Sequence, residues 1–118
     1  MNNRIKRVVG HPLSAYLGIA PMESVSGRCE FFIKVTENLV NPAGVFHGGV
    51  IYLLCDVCAY GGLLSLINEN TEALNHDIHV SVMRSTRLGD TVVFQSEVIK
   101  LGKGNKDHIV RIVGGRFF

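Results

Sequence analysis

Residues 41–67 read NPAGVFHGGVIYLLCDVCAYGGLLSLI, and this stretch decides the fold. Asn41 to Gly49 is crowded with turn formers and reads as a loop. From Gly49 to about Ile67 nearly every residue is apolar or small, over a length that suits five helical turns. A helix that is apolar all round is buried all round. Gly61 and Gly62 fall inside it, and glycine weakens a helix by about 1 kcal/mol relative to alanine. They mark either a close-packing point or the place where the helix loosens. Asp56 is the only charged residue of the run, and an unpartnered buried carboxylate costs several kcal/mol. Such a residue is rarely placed there without a use, although an aspartate that caps neighbouring backbone is the plainer alternative.

Outward from this helix the periodicity changes. Upstream, His11 to Ile19 reads as a short helix or turn with Pro12 at a first helical position. Pro21 to Gly27 reads as a loop. From Arg28 the chain alternates as a strand, with Cys29, Phe31, Ile33 and Val35 on one face, Glu30, Lys34 and Thr36 on the other, and Phe32 as the exception. Downstream, Asn68 to Thr71 ends the helical element. Leu74 to Arg84 alternates again, Arg87 to Asp90 is a turn, and Thr91 to Leu101 is a strand. Gly102 to Asp107 is a hairpin loop with two lysines, Lys103 and Lys106, and His108 to Phe118 is the last strand. The order is strand, one long buried helix, then a three-stranded meander. The class is α+β, one central helix wrapped by an antiparallel sheet. A single four- or five-stranded sheet cannot cover every apolar face of that helix, and a second copy of the chain is the simplest cover for the remainder.

The chain has 118 residues, 47% hydrophobic and 19% charged, which fits one globular domain over residues 1–118 and excludes a disordered chain. A net charge of +2 lacks the dense basic stripe of a nucleic-acid binder. No clean apolar run reaches about 18 residues, so no membrane span is expected. Residues 1–10 have charge but no long apolar core, so no signal peptide is expected. Three cysteines, an odd number, suit reduced thiols, and a cytoplasmic location is expected from them. Cys55 and Cys58 have C-x-x-C spacing, but they lie inside the apolar helix with no second ligand pair, against a zinc or redox site. His76, His79 and His108 form no ligand-like group. No phosphate-binding glycine loop, dinucleotide fingerprint or serine-hydrolase elbow is present. Neither a metal nor a cofactor is expected.

Gly48 and Gly49 stand where the loop becomes helix. The first N–H groups of a helix lack intrahelical partners and carry partial positive charge, and glycine lets a substrate approach that backbone closely. A plain helix start with a tight turn would look the same. Helical spacing puts Tyr52 and Tyr60 one turn either side of Asp56 and Gly48 two turns before it, all on one side. Gly48 and Asp56 are then about 12 Å apart along the helix, too far to act on one carbonyl within one chain, and a partner subunit could bring another helix start closer. His47 and Asn41 are candidates beside them. A loop histidine and an asparagine before proline are also common structural devices.

The segment Asn41-x5-His47-Gly48-Gly49-x6-Asp56 resembles the hotdog-fold acyl-CoA thioesterases of the phenylacetic-acid-degradation type. So do Leu17-Gly18-Ile19, the run Asp77-Ile78-His79-Val80 followed by Arg84, and Leu88-Gly89-Asp90. The resemblance covers about residues 10–118. It implies an antiparallel sheet wrapped around one central helix, homodimers with continuous sheets, and often dimers of dimers. It further implies that Asp56 is general base or nucleophile and that the Gly48 N–H contacts the thioester carbonyl. His47 and Asn41, from the opposite subunit, would orient loop, substrate or water. Asn75 falls where some relatives have serine or threonine near the attacking water. Ser85 stands where many relatives have proline, a departure at the coenzyme-binding edge. For the acyl-CoA substrate, Gly49, Tyr52, Arg84 and Arg87 complete the candidate binding set, the arginines being placed for coenzyme phosphates.

The expected activity is therefore metal-independent hydrolysis of an acyl-CoA thioester to acid and free thiol. A hotdog hydratase or dehydratase would need an Asp/His pair that is not visible. A non-catalytic acyl-CoA sensor on the same fold usually carries a DNA-binding appendage for which this chain has no room, and it would not need Asp56.

Overall fold

The computed structural model describes residues 3–19, 21–67, 86–100 and 109–117. Two short helices, α1 (Asn3–Gly10) and α2 (Pro12–Leu17), lead into strands β1 (Met22–Val25) and β2 (Arg28–Lys34). A 3-10 turn over Glu37–Leu39 precedes the long helix α3 (Gly48–Leu64), and strands β3 (Thr91–Lys100) and β4 (Ile109–Phe117) follow. The strands form one antiparallel sheet in the order β1-β2-β3-β4, and α3 packs against all four of them.

The alternation read in β2 is realised. Cys29, Phe31, Ile33 and Val35 are fully buried, whereas Phe32 is 47% exposed. Phe31 faces Phe94 of β3 in register, and their rings stack at a centroid distance of 5.4 Å. These side chains meet Leu54, Cys58 and Leu64 of α3 to make the core. The turn read at Arg87–Asp90 is also present. Gly89 has φ +92°, and the Asp90 N–H donates to the Arg87 carbonyl at 3.0 Å. Pro12 opens α2, whose cap is the His11 imidazole accepting from the Leu13 N–H at 3.3 Å.

The loop expected at Pro21–Gly27 is instead a hairpin. β1 pairs with β2 from Met22↔Phe31 to Val25↔Arg28, leaving a two-residue turn, Ser26-Gly27. Both turn residues have positive φ, 52° and 80°, as a tight hairpin that follows the twist of its strands requires. Gly27 takes that conformation without a Cβ penalty. β1 shows no apolar–polar alternation in sequence because its inward side chains are Met22 and the polar, half-buried Ser24, while the exposed Val25 is apolar. The small Ser-Gly pair was the available signal. Residues 1–10, read only for charge, contain α1, whose Ile5 enters the core with Val8 and Val9 packed against it.

Gly61 and Gly62 are close-packing points. A Cβ at Gly61 would lie 2.6 Å from the Cys29 sulfur, and one at Gly62 would lie 2.9 Å from the Ser96 hydroxyl. The helix backbone lies so near the sheet that strand serines donate directly to its carbonyls: Ser24 to Gly61 at 2.5 Å and Ser96 to Cys58 at 2.7 Å. Ser65, just past the helix, accepts from the Gly27 N–H and donates to the Gly62 carbonyl, both at 2.7 Å. The helix therefore ends at Leu64 and not at Ile67.

Burial of α3 is one-sided within the chain. Leu54, Cys55, Cys58 and Gly61–Leu64 are buried. Val50, Ile51, Leu53, Val57 and Tyr60 are only partly covered, and Tyr52 is 44% exposed. No described helix is long and apolar enough to cross a membrane. The strand read at Leu74–Arg84, with Asn75, His76, His79 and Arg84, lies outside the described residues, as do Lys103, Lys106 and His108.

Candidate active site

The loop before α3 is held by its own side chains. The Asn41 Oδ1 accepts from the Ala43 N–H at 3.0 Å and the Val45 N–H at 3.1 Å. The Asn41 N–H donates to the Val45 carbonyl at 2.8 Å. Asparagine suits this position because its side-chain carbonyl can replace a missing backbone partner in a turn. Phe46 anchors the far end of the loop. It is buried and meets Phe94 edge-on at 6.4 Å. Backbone bonds fix the rest, with Phe46 donating to Thr86 at 2.7 Å and His47 donating to Leu39 at 2.8 Å. Val45 bridges Arg87 in antiparallel fashion, which brings the backbone of that arginine to the site loop.

His47 is the N-cap of α3. Its backbone is extended (φ −63°, ψ 127°), and its Nδ1 accepts from the Gly49 N–H at 2.9 Å. Its carbonyl accepts from both Val50 and Ile51 at 3.0 Å. The ring lies against Gly49, where a Cβ would come within 3.0 Å of the imidazole Cε1. Gly49 is thus needed to seat the capping histidine, a requirement the sequence did not distinguish from room for a substrate.

Gly48 is different. Among the described residues its N–H donates to no protein group, and a Cβ there would meet nothing within 4 Å. The first helical residue therefore presents a polarised donor to an open face. Tyr52 and Asp56 follow at intervals of one turn. Gly48 and Tyr52 are exposed and Asp56 is partly buried. One side of α3 thus has a donor at its start, a carboxylate two turns on and a phenol between them. Of the residues singled out in the sequence, Asn41, His47, Gly48 and Gly49 are contiguous in space with the backbone of Arg87. Asp56 stands farther along the helix, and Asn75 and Arg84 lie outside the described residues.

The cysteines are ill suited to act as nucleophiles here. Cys29, Cys55 and Cys58 are buried free thiols. Burial, assisted by the neighbouring Cys58, pushes the Cys55 thiol up to about 11. Hydrogen bonding with Cys29 and then burial push Cys58 up as well. Both are therefore held as thiols, whereas the thiolate is the reactive form. Among the described residues no group of histidine, cysteine or acidic side chains could hold a metal ion.

Comparison with known proteins agrees with this frame. The Thioesterase superfamily profile matches residues 43–104, the segment that starts in the site loop and includes all of α3. ComA2 of Bacillus subtilis (strain 168), provisionally named an esterase, is 31% identical over 94 residues, covering 79% of this chain and 74% of that protein. Human acyl-coenzyme A thioesterase 13 is 27% identical over 85 residues, covering 72% of this chain but only 60% of the human protein. The PaaI protein of the E. coli phenylacetic acid degradation operon superposes with a TM-score of 0.69 at 21% identity, covering 86% of this chain and 71% of that one. With more than half its length inside the family profile, and its antiparallel sheet packed on one central helix, the chain belongs to the Thioesterase superfamily, the thioester hydrolases of the hotdog fold.

Proposed function

We propose that this protein hydrolyses acyl-CoA thioesters to a carboxylic acid and free coenzyme A, without a metal, at a site shared between two copies of the chain. The observation that carries the reading is the open Gly48 N–H at the start of α3 with Asp56 two turns along the same side. A thioester carbonyl that accepts from Gly48 gains charge stabilisation as its oxygen becomes an oxyanion. Loss of one such donor typically lowers turnover by about 10²- to 10³-fold. Asp56 acts on the carbonyl carbon, either by activating water or by direct attack. The two groups are about 12 Å apart along one helix, so the carboxylate that serves a given Gly48 comes from the partner subunit. His47 and Asn41 hold the donor loop in shape, and Arg87, exposed beside that loop, meets coenzyme phosphates. Similarity to an acyl-coenzyme A thioesterase supports the substrate class, and three free thiols without a disulfide support a reducing, cytoplasmic setting.

The test is a hydrolysis assay over acyl-CoAs of several chain lengths, following thiol release, with Asp56→Asn beside the parent. Asparagine keeps size and polarity but is neither base nor nucleophile. Turnover should fall by at least the roughly 10²- to 10⁴-fold typical of a positioned acid or base, while acyl-CoA binding persists. An asparagine variant within a few-fold of the parent would make Asp56 a structural residue and remove the mechanism. Binding without turnover by the parent would favour an acyl-CoA sensor.

A further inference from the structure

The donor at Gly48 is only as well placed as the loop that carries it, and that loop is fastened from outside. Phe46, two residues before Gly48, donates its N–H to the Thr86 carbonyl at 2.7 Å, and Val45 bridges Arg87. Thr86 and Arg87 lead into the turn that runs to Asp90. The far end of this turn is tied to the chain where it leaves β2. There the Val35 N–H donates to the Asp90 carbonyl and the Gly89 N–H donates to the Val35 carbonyl, both at 2.8 Å, and Val35 itself is fully buried. Across the turn Asp90 closes on Arg87 twice. Its N–H donates to the Arg87 carbonyl at 3.0 Å, and its Oδ2 accepts from the Arg87 N–H at 2.9 Å. We infer that Asp90 is a positioning residue for hydrolysis: its carboxylate holds the backbone of Arg87, and through it Val45 and Phe46, so that the Gly48 N–H meets the reacting carbonyl. The inference rests on the thioesterase reading above and adds a residue that acts through the loop and not on the substrate.

The physical case is one of leverage. Arg87, Leu88 and Gly89 are exposed and Asp90 is partly buried, so water competes for the Arg87 N–H at all times. A short carboxylate at Asp90 can fold back onto that N–H, which is why aspartate and asparagine are favoured in turns and alanine is not. His47, between Phe46 and Gly48, has extended backbone (φ −63°, ψ 127°), so a displacement of Phe46 is passed on to Gly48. Reaction geometry tolerates little of this, since a misplacement of about 1 Å can cost about 10²-fold in rate. The sheet end at Val35 is the rigid point, the turn is the arm, and the carboxylate sets the arm's angle.

The test is a double-mutant cycle on acyl-CoA hydrolysis, with melting temperatures recorded for every variant. Gly48→Pro lacks the donor N–H and therefore leaves nothing for Asp90 to position, while Gly48→Ala keeps that N–H as the control. In the protein with Gly48, Asp90→Ala should lower kcat by about 10-fold or more. Asp90→Asn, which keeps the acceptor and loses the charge, should stay near the parent. In the Gly48→Pro background, Asp90→Ala should change kcat by less than about 2-fold, whereas its effect on melting temperature should be the same in both backgrounds. An aspartate that merely stabilised the turn would move kcat equally in both. Equal kcat losses in the two backgrounds, an Asp90→Ala protein as fast as the parent, or an asparagine variant as slow as the alanine one would overturn the inference. Each of these leaves the thioesterase reading standing when Gly48→Pro is slower than Gly48→Ala. Equal turnover of Gly48→Pro and Gly48→Ala would instead overturn the oxyanion role of Gly48, and the inference with it.

Discussion

Replacing Gly48 by proline removes one N–H and changes little else. Proline is favoured at the first position of a helix, where its fixed φ suits the turn and the missing donor has no intrahelical partner. The residue before a proline is pushed to extended backbone, and His47 is already there at φ −63°, ψ 127°. A Cβ at position 48 meets nothing within 4 Å, so the ring has space. At a position whose backbone it fits, proline stabilises by about 0.4–1 kcal/mol through the unfolded chain. The melting temperature of Gly48→Pro should therefore equal or exceed that of the parent. Activity should behave otherwise. Loss of one oxyanion donor is worth about 10²- to 10³-fold, roughly 3–4 kcal/mol of transition-state stabilisation. The control is Gly48→Ala, which adds a Cβ at the same place but keeps the N–H. Acyl-CoA hydrolysis, read by thiol release with a chromogenic disulfide, should show kcat about 10²- to 10³-fold lower in the proline variant than in the alanine variant. Equal turnover in a well-folded pair would show that the Gly48 N–H does not touch the reacting carbonyl.

Three further outcomes are expected. Gly61→Ala should destabilise by about 1–3 kcal/mol in denaturant titration, despite a helix-propensity gain of about 1 kcal/mol, because the new methyl meets the Cys29 sulfur at 2.6 Å; added Cys29→Ala should recover part of the loss, and a stabilised Gly61→Ala protein would refute the close packing. Arg87→Ala should raise KM for acyl-CoA roughly 2- to 5-fold, as for an exposed charge contact, with kcat little changed and the effect shrinking in salt; an equal loss on a thioester lacking the nucleotide would count against a phosphate contact. Stability should fall as pH rises from about 9 to about 11, because buried Cys55 keeps its proton to about 11 in the fold against an ordinary 9.0, so the unfolded state sheds protons first. Cys55→Ser should lessen that decline in urea midpoints without abolishing it, because the Cys58 thiol is raised as well, and a parent with no decline over the window would refute it.

Much of the fold was legible in the sequence because its signals are local. The alternation of Cys29, Phe31, Ile33 and Val35 against polar neighbours needs only the two-residue period of a strand. The length and apolarity of residues 48–64 need only the helical period, whereas the asparagine, His-Gly-Gly and aspartate spacing suggested the chemistry only through its resemblance to a known family. β1 was not legible, because a four-residue strand with one buried side chain has no period to read, and its hairpin shows only through Ser26-Gly27. Three-dimensional contacts alone separated the two site glycines. Gly49 is required by an imidazole folded back on its own backbone, while Gly48 is left with an open N–H, a difference set by hydrogen bonds that adjacent identical residues cannot encode. Contact with the sheet likewise decided that Gly61 and Gly62 bring helix and strands together instead of loosening the helix, since an ångström-scale approach depends on what lies opposite. The sequence by itself called for α3 to be buried on every side. Among the described residues the tertiary structure showed which side of α3 is covered, because a sheet can shield only the face it lies against, and it left Gly48 and Tyr52 exposed and Asp56 partly buried.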